Sequence, residues 1–217
     1  MNLSQQILIM ISKLIKTECE VFINMKSLFL LLTLFCTLFV YSQNDTIIKR
    51  DIYTVNYSQK LKQPLWLEYG FRNRTCNATR TGLDFYTEKG VITSTNEDYA
   101  NNDYDKGHMA PAADFCKDKQ SMYLTFSYLN CALQHYKLNR GVWKELESME
   151  REWAKTDSLV IKIEVIFDPK PKKTNGGASI PKSFRKTILF YNSKKKLVYE
   201  FPNVPPTKSL EGYLIKQ

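Results

Sequence analysis

The most regular pattern in the chain lies at residues 158–167, which read SLVIKIEVIF. Apolar side chains occupy every second position of this run, at Leu159, Ile161, Ile163, Val165 and Phe167. A period of two places such side chains on one face of extended backbone. The run therefore predicts a β-strand.

A helical pattern precedes this strand. From Asn139 onward, apolar residues recur at about 3.6 residues per turn, and polar residues share the opposite side. The apolar stripe holds Val142, Trp143, Leu146, Met149 and Trp153, and the polar side holds Lys144, Glu147 and Arg151. The spacing predicts a helix whose stripe faces the core, with Trp143 and Trp153 as packing residues.

Other segments predict further strands. β-branched and aromatic residues fill 51–58 (DIYTVNYS) and 65–71 (LWLEYGF), and 121–131 (SMYLTFSYLNC) reads as a buried strand. Residues 186–201 predict a hairpin around NSKKK, and 168–177 (DPKPKKTNGG) a surface loop. Strands, then a helix, then strands indicate an α+β fold with a largely antiparallel sheet.

The amino-terminal part of the chain carries an export pattern. From Met25 the sequence gives a positive charge at Lys26, an apolar run over 28–40 and a small residue at Ser42. The run is shorter than the roughly 20 residues of a membrane span. We therefore expect a non-native extension from a misplaced start at 1–24, a cleaved signal peptide at 25–42, and one secreted or periplasmic domain at 43–217 that keeps no membrane anchor.

The charge of the chain favours a polyanionic partner. Lys and Arg number 31 against 22 Asp and Glu, a formal net charge of +9 over 217 residues. Nucleic acid is the partner that such a balance suggests, with ordinary solvated surface charge as the alternative.

Three cysteines lie beyond the signal pattern, at Cys76, Cys116 and Cys131. Three cannot all pair within one chain, so one disulfide plus one free or buried thiol fits an oxidising compartment. No CxxC spacing occurs, and a zinc site is not expected.

Residues 104–115 read YDKGHMAPAADF and contain His108, one of two histidines. The near-neutral pKa of imidazole suits it to accept a proton, although a lone histidine is more often a surface or packing residue. Downstream, Asn139 stands at a helix start, and Glu147 and Arg151 lie one turn apart. Alone, these are a helix cap and a solvated ion pair; together with His108 they suggest a site. The second histidine, His135, is expected to be structural.

The two motifs, YDKGHMAPAADF and YLNCALQHYKLNRGVWKELESMER, resemble those of the DNA/RNA non-specific endonucleases, the ββα-metal or His-Me finger nucleases. A looser likeness runs from residue 53 to residue 191. The resemblance implies a ββα-metal active-site motif and Mg²⁺-dependent hydrolysis of phosphodiester bonds in DNA and RNA. It leaves open Mn²⁺ or another divalent cation, a homodimer and an inhibitor protein.

The same resemblance implies residue roles. His108 would be the general base, Asn139 the protein ligand of the metal, Glu147 the carboxylate that orients a metal-bound water, and Arg151 a cation on the phosphate. Lys106 stands where the family usually has a catalytic Arg, which keeps the charge but loses the planar fork.

Three other positions follow from the resemblance. Asp105 and Gly107 would support the motif, and Leu133 replaces a proline usual in the family. Arg80 is a loose counterpart of an upstream arginine that contacts phosphate. Lys106 and Leu133 motivate an alternative function, a catalytically weakened nucleic-acid-binding module; a secreted protein acting on another phosphodiester is a third, weaker reading.

Overall fold

The computed structural model describes residues 45–72 and 75–215, and in these ranges six strands form one antiparallel sheet. The strands are β1 (Thr46–Lys49), β2 (Thr54–Ser58), β3 (Gln63–Phe71), β6 (Leu159–Ile166), β7 (Ser183–Phe190) and β8 (Lys196–Pro202). Their order in the sheet is β1-β2-β3-β6-β7-β8. The predicted α+β fold with a largely antiparallel sheet is confirmed.

Strand β6 follows the alternation predicted from its sequence. Its burial alternates residue by residue, and Ile161 and Ile163 are completely buried. In register, Ile161 lies opposite Tyr69 of β3 on one side and Ile188 of β7 on the other. One face of the sheet therefore carries the apolar side chains of three neighbouring strands.

A second, two-stranded sheet pairs β4 (Tyr104–His108) with β5 (Cys131–His135). A short helix α1 (Lys119–Leu124) lies between them in the chain. After β5 come α2 (Tyr136–Leu138), a π-helical turn (Asn139–Trp143) and α3 (Lys144–Trp153). The order of two strands followed by a helix is the order that the predicted ββα-metal motif requires; its role as a metal-binding motif stays a prediction.

The predicted apolar stripe begins in the π-helical turn, continues along α3 and packs against the large sheet. Trp143 is completely buried, and its ring contacts those of Phe184 and Phe201 at centroid distances of 5.6 and 5.5 Å. Leu146 is equally buried, and Trp153 packs on the edge of the same core. These contacts fix the helix, and with it the polar residues of its other side.

The buried strand predicted over 121–131 is wrong for most of its length. Helix α1 occupies its start, because the Asp118 carboxylate caps that helix by accepting the Ser121 N–H at 2.7 Å. A 3₁₀ turn (Tyr128–Asn130) follows, and the strand begins only at Cys131. Most apolar residues of this segment are buried, although Tyr123 is exposed, and they do not alternate. Such a run does not distinguish helix from strand.

The predicted extension and signal peptide, 1–24 and 25–42, lie outside the described residues. Among the helices of residues 45–72 and 75–215, none combines the length and the hydropathy that a membrane crossing needs.

The cysteines divide as one pair and one thiol in the described part of the chain. Cys76 and Cys116 form a disulfide with Cα atoms 4.7 Å apart, and Cys131 is free and buried. The bond ties an irregular loop, 75–83, to the segment between β4 and α1.

Candidate active site

A cleft of about 320 Å³ opens beside the end of β4 and the start of α3. It brings together four of the predicted site residues, His108, Asn139, Glu147 and Arg151. The other lining residues are Arg80, Pro111, Ala113, Arg140 and Lys144. The two motifs, about 30 residues apart in sequence, therefore form opposite parts of one concave surface.

His108 is the last residue of β4 and is half-buried. Its ring lies 5.0 Å from the Phe85 centroid and 5.2 Å from that of Phe126, and its Nε2 atom is buried with no hydrogen-bond partner among the described residues. Burial, with a smaller contribution from the charge of Arg80, lowers the pKa of His108 to about 3. The imidazole is therefore neutral at physiological pH, with one of its two ring nitrogens unprotonated.

Asp105 holds Asn139 in place. The Asn139 Nδ2 donates to Asp105 Oδ2 at 2.9 Å, and Arg140 binds the same carboxylate at 2.8 and 2.6 Å. Burial alone would raise the pKa of Asp105, but the hydrogen bonds from Arg140 and Asn139 lower it. The carboxylate is thus ionised and fixes which end of the Asn139 amide points away from it.

The Asn139 amide oxygen suits a hard divalent cation. None of the described residues donates a hydrogen bond to this oxygen, because the amide nitrogen takes the contact with Asp105. No group of three or more His, Cys, Asp or Glu side chains suited to a metal occurs in the described ranges. Mg²⁺ prefers oxygen ligands and keeps several waters, so a sparse protein shell with one amide oxygen fits it.

Glu147 lines the cleft and is bound by the buried Trp143. The Trp143 indole N–H donates to Glu147 Oε1 at 3.0 Å. Burial raises the pKa of Glu147, while the positive charges of Lys186 and Arg151 oppose that rise. One carboxylate oxygen is therefore held by the core, and the side chain lines the cleft.

Asp114 forms an ion pair with Arg151. The Arg151 Nη1 lies 3.2 Å from Asp114 Oδ1, and the Arg151 Nη2 donates to Ser148 Oγ at 3.0 Å. The Asp114 side chain has no exposed surface, and burial together with the nearby Glu147 charge raises its pKa to about 7. Two partners thus hold the guanidinium at the cleft: Ser148, one turn earlier in α3, and Asp114, in the 3₁₀ turn Ala112–Phe115.

A buried ion pair lies beneath these residues. Lys186 Nζ and Glu150 are 2.9 Å apart, both side chains are fully buried, and the Lys186 ammonium lies 4.6 Å from the Trp143 ring centroid. Sequence reasoning missed this pair. Two signals mark it: Lys186 interrupts the buried face of β7 between Phe184 and Ile188, and Glu150 falls on the apolar stripe four residues after Leu146.

Lys106 does not line the cleft. Its ammonium donates to Asn96 Oδ1 and lies 5.0 Å from the centroid of Phe85, the ring that also contacts His108. To reach a substrate phosphate in the cleft, the side chain must leave Asn96. Its catalytic role stays a prediction.

Gly107 is required by a close approach between β4 and β5. A Cβ atom at this position would lie 2.5 Å from Gln134 Oε1 and 2.6 Å from Gln134 Cβ. Any larger residue would separate the two strands and displace His108, the next residue. Leu133 is fully buried in β5 and donates its N–H to Gln63 Oε1 at 3.0 Å, which is a packing role.

Three further cationic side chains line the cleft, and the sequence did not predict them there or predicted them only loosely. Arg80 was predicted only as a loose counterpart. Arg140 and Lys144 were not predicted as cleft residues, although they follow Asn139 by one and five residues. His135, the second histidine, caps α2 by accepting the Lys137 N–H at 3.1 Å.

The family model described as DNA/RNA non-specific endonuclease matches residues 34–213. The chain is 33% identical over 132 residues to the zebrafish (Danio rerio) protein named nuclease EXOG, mitochondrial, covering 58% of this chain and 38% of that protein. It is 30% identical over 112 residues to bovine (Bos taurus) endonuclease G, mitochondrial, covering 49% and 38%.

Thus the chain spans less than two-fifths of the length of these two relatives. A solved structure described as the EndoG/EndoGI complex superposes with a TM-score of 0.71 at 21% identity, over 80% of this chain and 81% of that chain, which establishes a shared fold. Since the family model covers most of the sequence, the chain belongs to the DNA/RNA non-specific endonuclease family.

Proposed function

We propose that the protein is an exported, Mg²⁺-dependent nuclease that hydrolyses phosphodiester bonds of DNA and RNA with little sequence preference. One observation carries the proposal: His108, Asn139, Glu147 and Arg151 line a single cleft. A proton acceptor, an amide oxygen, a carboxylate and a cation together are the groups that metal-assisted phosphodiester hydrolysis requires.

The charge of the cleft supports a polyanionic substrate. Arg80, Arg140, Lys144 and Arg151 all line it, against one acidic lining residue, Glu147. Cations of this kind bind the phosphate backbone, which carries affinity without sequence information. Low sequence preference follows from that mode of binding.

His108 acts as the general base. Its ring is neutral at physiological pH, and because Nε2 is buried, Nδ1 is the nitrogen left to accept a proton in the cleft. The attacking water gives its proton to His108, its oxygen bonds to phosphorus, and the bond to the 3′ oxygen breaks. The 3′ oxygen then takes up a proton from solvent water. The products then carry a 5′-phosphate and a 3′-hydroxyl.

Asn139 would hold Mg²⁺ through its side-chain oxygen, which Asp105 leaves available by binding the amide nitrogen. When bound, the cation would stabilise negative charge on the phosphate and on the leaving 3′ oxygen. Glu147 is held by Trp143 and orients water in the cleft, and Arg151 and Arg80 neutralise the phosphate.

Export is supported by the signal pattern at 25–42 and by the Cys76–Cys116 disulfide, since disulfides persist mainly in oxidising compartments. The secreted or periplasmic location is therefore part of the proposal. Extracellular DNA and RNA would be the substrates there.

A nucleic-acid-binding module without turnover is the alternative. The engagement of Lys106 with Asn96 favours it, because the residue that replaces the family's arginine is occupied elsewhere. Salt-sensitive binding of DNA without cleavage would support this alternative over the nuclease.

The test is incubation of the purified protein with supercoiled plasmid and with RNA, each with and without Mg²⁺. We expect both substrates to be degraded only with the metal. His108→Ala should lower kcat by about a hundredfold to ten-thousandfold, the usual contribution of a general base.

The matched control is His135→Asn, which replaces the other histidine by a residue that also caps helices. Its activity should stay within about threefold of wild type, since His135 is not among the residues that line the cleft. Intact plasmid after incubation of folded wild-type protein with Mg²⁺ would refute the nuclease.

A further inference from the structure

Arg80 lines the cleft and lies in a loop that has few apolar packing contacts. Residues 75–83 form no helix or strand, and Cys76, Asn77, Thr79 and Arg80 are all exposed. Apolar anchoring is limited to Ala78 and Leu83, which pack on the small cluster around Cys116 and Met122. An exposed loop of this kind is among the more mobile parts of a protein unless specific bonds restrain it.

Specific bonds do restrain this loop, and they flank Arg80. On its amino-terminal side the Cys76–Cys116 disulfide joins the loop to the segment after β4, and the N–H groups of Asn77 and Ala78 donate to the Cys116 carbonyl at 2.8 and 3.0 Å. The disulfide is therefore reinforced by two backbone bonds to the same cysteine.

Lys119 provides the second restraint. Its ammonium donates to the carbonyl of Thr79 at 3.2 Å and to that of Thr81 at 2.6 Å, the two residues on either side of Arg80. A charged donor shared by two carbonyls fixes the backbone between them. Lys119 is exposed and is not one of the residues that line the cleft.

The anchor to which the loop is tied also belongs to the site. Cys116 directly follows the 3₁₀ turn Ala112–Phe115, which contains Asp114, the partner of Arg151. Ala113 of that turn lines the cleft. A loop fixed to Cys116 and Lys119 is thus fixed relative to the groups that surround the substrate phosphate.

We propose that Lys119 and the Cys76–Cys116 disulfide form a clamp that positions Arg80, so that nuclease activity depends on the oxidised state of this cysteine pair. The proposal rests on the proposed function. Lys119 and the two cysteines are positioning residues, because they act through Arg80 and not on the substrate.

The redox step is thiol–disulfide exchange with a dithiol. A thiolate of the reductant attacks the exposed Cys76 sulfur, the Cys76–Cys116 bond breaks, and the second thiol of the reductant closes its own disulfide. Cys76 and Cys116 each end as a thiol, and the reductant has given up two electrons and two protons. Oxidised dithiol restores the clamp by the reverse reaction.

The experiment measures kcat and KM for cleavage of a short fluorogenic oligonucleotide by the full chain, before and after treatment with dithiothreitol. Cys76→Ser/Cys116→Ser and Lys119→Met are measured in the same way. Each change is also made in an Arg80→Ala background. Thermal unfolding of every protein establishes that it is folded at the assay temperature.

We expect reduction, the double serine variant and Lys119→Met each to lower kcat/KM by about tenfold or more, the scale of a displaced phosphate-binding group. In the Arg80→Ala background the same changes should have no further effect beyond about twofold, because residues that act through one group are not additive. Lys117→Met, which removes an equal charge two residues away, controls for the lost charge of Lys119.

Two results would overturn the clamp. One is full activity of both folded clamp variants, Cys76→Ser/Cys116→Ser and Lys119→Met; the other is a loss of equal size in the Arg80→Ala background, which would mean that the clamp acts through the fold. Absence of cleavage by oxidised wild type would instead contradict the proposed function itself. Because Lys119→Met leaves the disulfide intact, it tests the clamp even if the serine variant does not fold.

Discussion

Asp105 shows how a single residue can define the chemistry of its neighbour. Its carboxylate takes the amide nitrogen of Asn139 and leaves the amide oxygen as the only side-chain group of Asn139 that can bind a cation. The resemblance predicted Asp105 as a supporting residue, and in the structure its carboxylate accepts a hydrogen bond from the Asn139 amide.

Asp105→Ala is expected to raise the Mg²⁺ concentration needed for half-maximal cleavage by about tenfold to a hundredfold, because groups that orient a metal ligand contribute on that scale. The measurement is a Mg²⁺ titration of cleavage rate. Arg140→Ala removes the exposed partner of the same carboxylate and leaves the Asn139 contact, so its effect should be much smaller. Equal shifts in the two variants would argue against orientation of Asn139 by Asp105.

At the scale of elements, helix α3 and strand β7 are joined by the buried Lys186–Glu150 pair. Both side chains are fully buried, and the ammonium also faces the Trp143 ring. The pair lies directly below the tryptophan that holds Glu147. A stability defect here would therefore also affect the geometry of the cleft.

Lys186→Met should destabilise the protein by about 3–5 kcal/mol, because it leaves the Glu150 carboxyl group buried without its partner. The double variant Lys186→Met/Glu150→Leu should recover most of that loss, since apolar side chains can replace a buried ion pair. Denaturant unfolding at pH 7 measures both. A double variant no more stable than Lys186→Met would be inconsistent with this account.

The 3₁₀ turn that carries Asp114 makes stability depend on pH. A carboxyl group titrates near pH 4 in an unfolded chain, whereas burial raises the pKa of Asp114 to about 7 in the folded protein. Between these values the folded state keeps a proton that the unfolded state releases. The stabilisation is therefore present at lower pH and is lost as pH rises from about 4 to about 7.

It follows that the Tm of wild type minus that of Asp114→Asn should be smaller at pH 8 than at pH 5. Thermal unfolding of both proteins at the two pH values is the check. His108, whose lowered pKa has the opposite effect on stability, is present in both proteins and cancels in the difference. A difference that stays the same from pH 5 to pH 8 would show that Asp114 is ionised in the folded protein throughout this range.

For the whole molecule, the excess of basic residues and the cations of the cleft predict strong dependence of binding on salt. Each phosphate contact that is lost should lower the slope of log K against log salt by about 0.9 for duplex DNA. In a His108→Ala background, which slows cleavage, Lys144→Ala should reduce the slope by about that amount. Lys196→Ala, on the exposed start of β8, is the matched control and should not. Equal slopes for the two would mean that Lys144 does not contact phosphate.

Several secondary-structure elements of this protein could be predicted from patterns that are local in sequence. The alternation of residues 159–167 and the helical stripe from Val142 to Trp153 each depend on the period of one element, so β6 and α3 could be predicted from the residues alone. The motifs around His108 and Asn139 are also short, so the site residues could be predicted from local sequence. The segment 121–131 could not be predicted, because its apolar run has no period and a single cap at Asp118 decides its conformation.

Only the tertiary structure decided the contacts between distant segments. The amide orientation of Asn139, the Arg151–Asp114 pair, the buried Lys186–Glu150 pair and the Cys76–Cys116 clamp on Arg80 each join residues 34 to 40 positions apart. Hydrogen bonds and ion pairs act over a few ångströms in space and leave no periodic trace along the chain. The sequence therefore determined which chemical groups this protein has, and packing of the two sheets and α3 decided which of those groups meet.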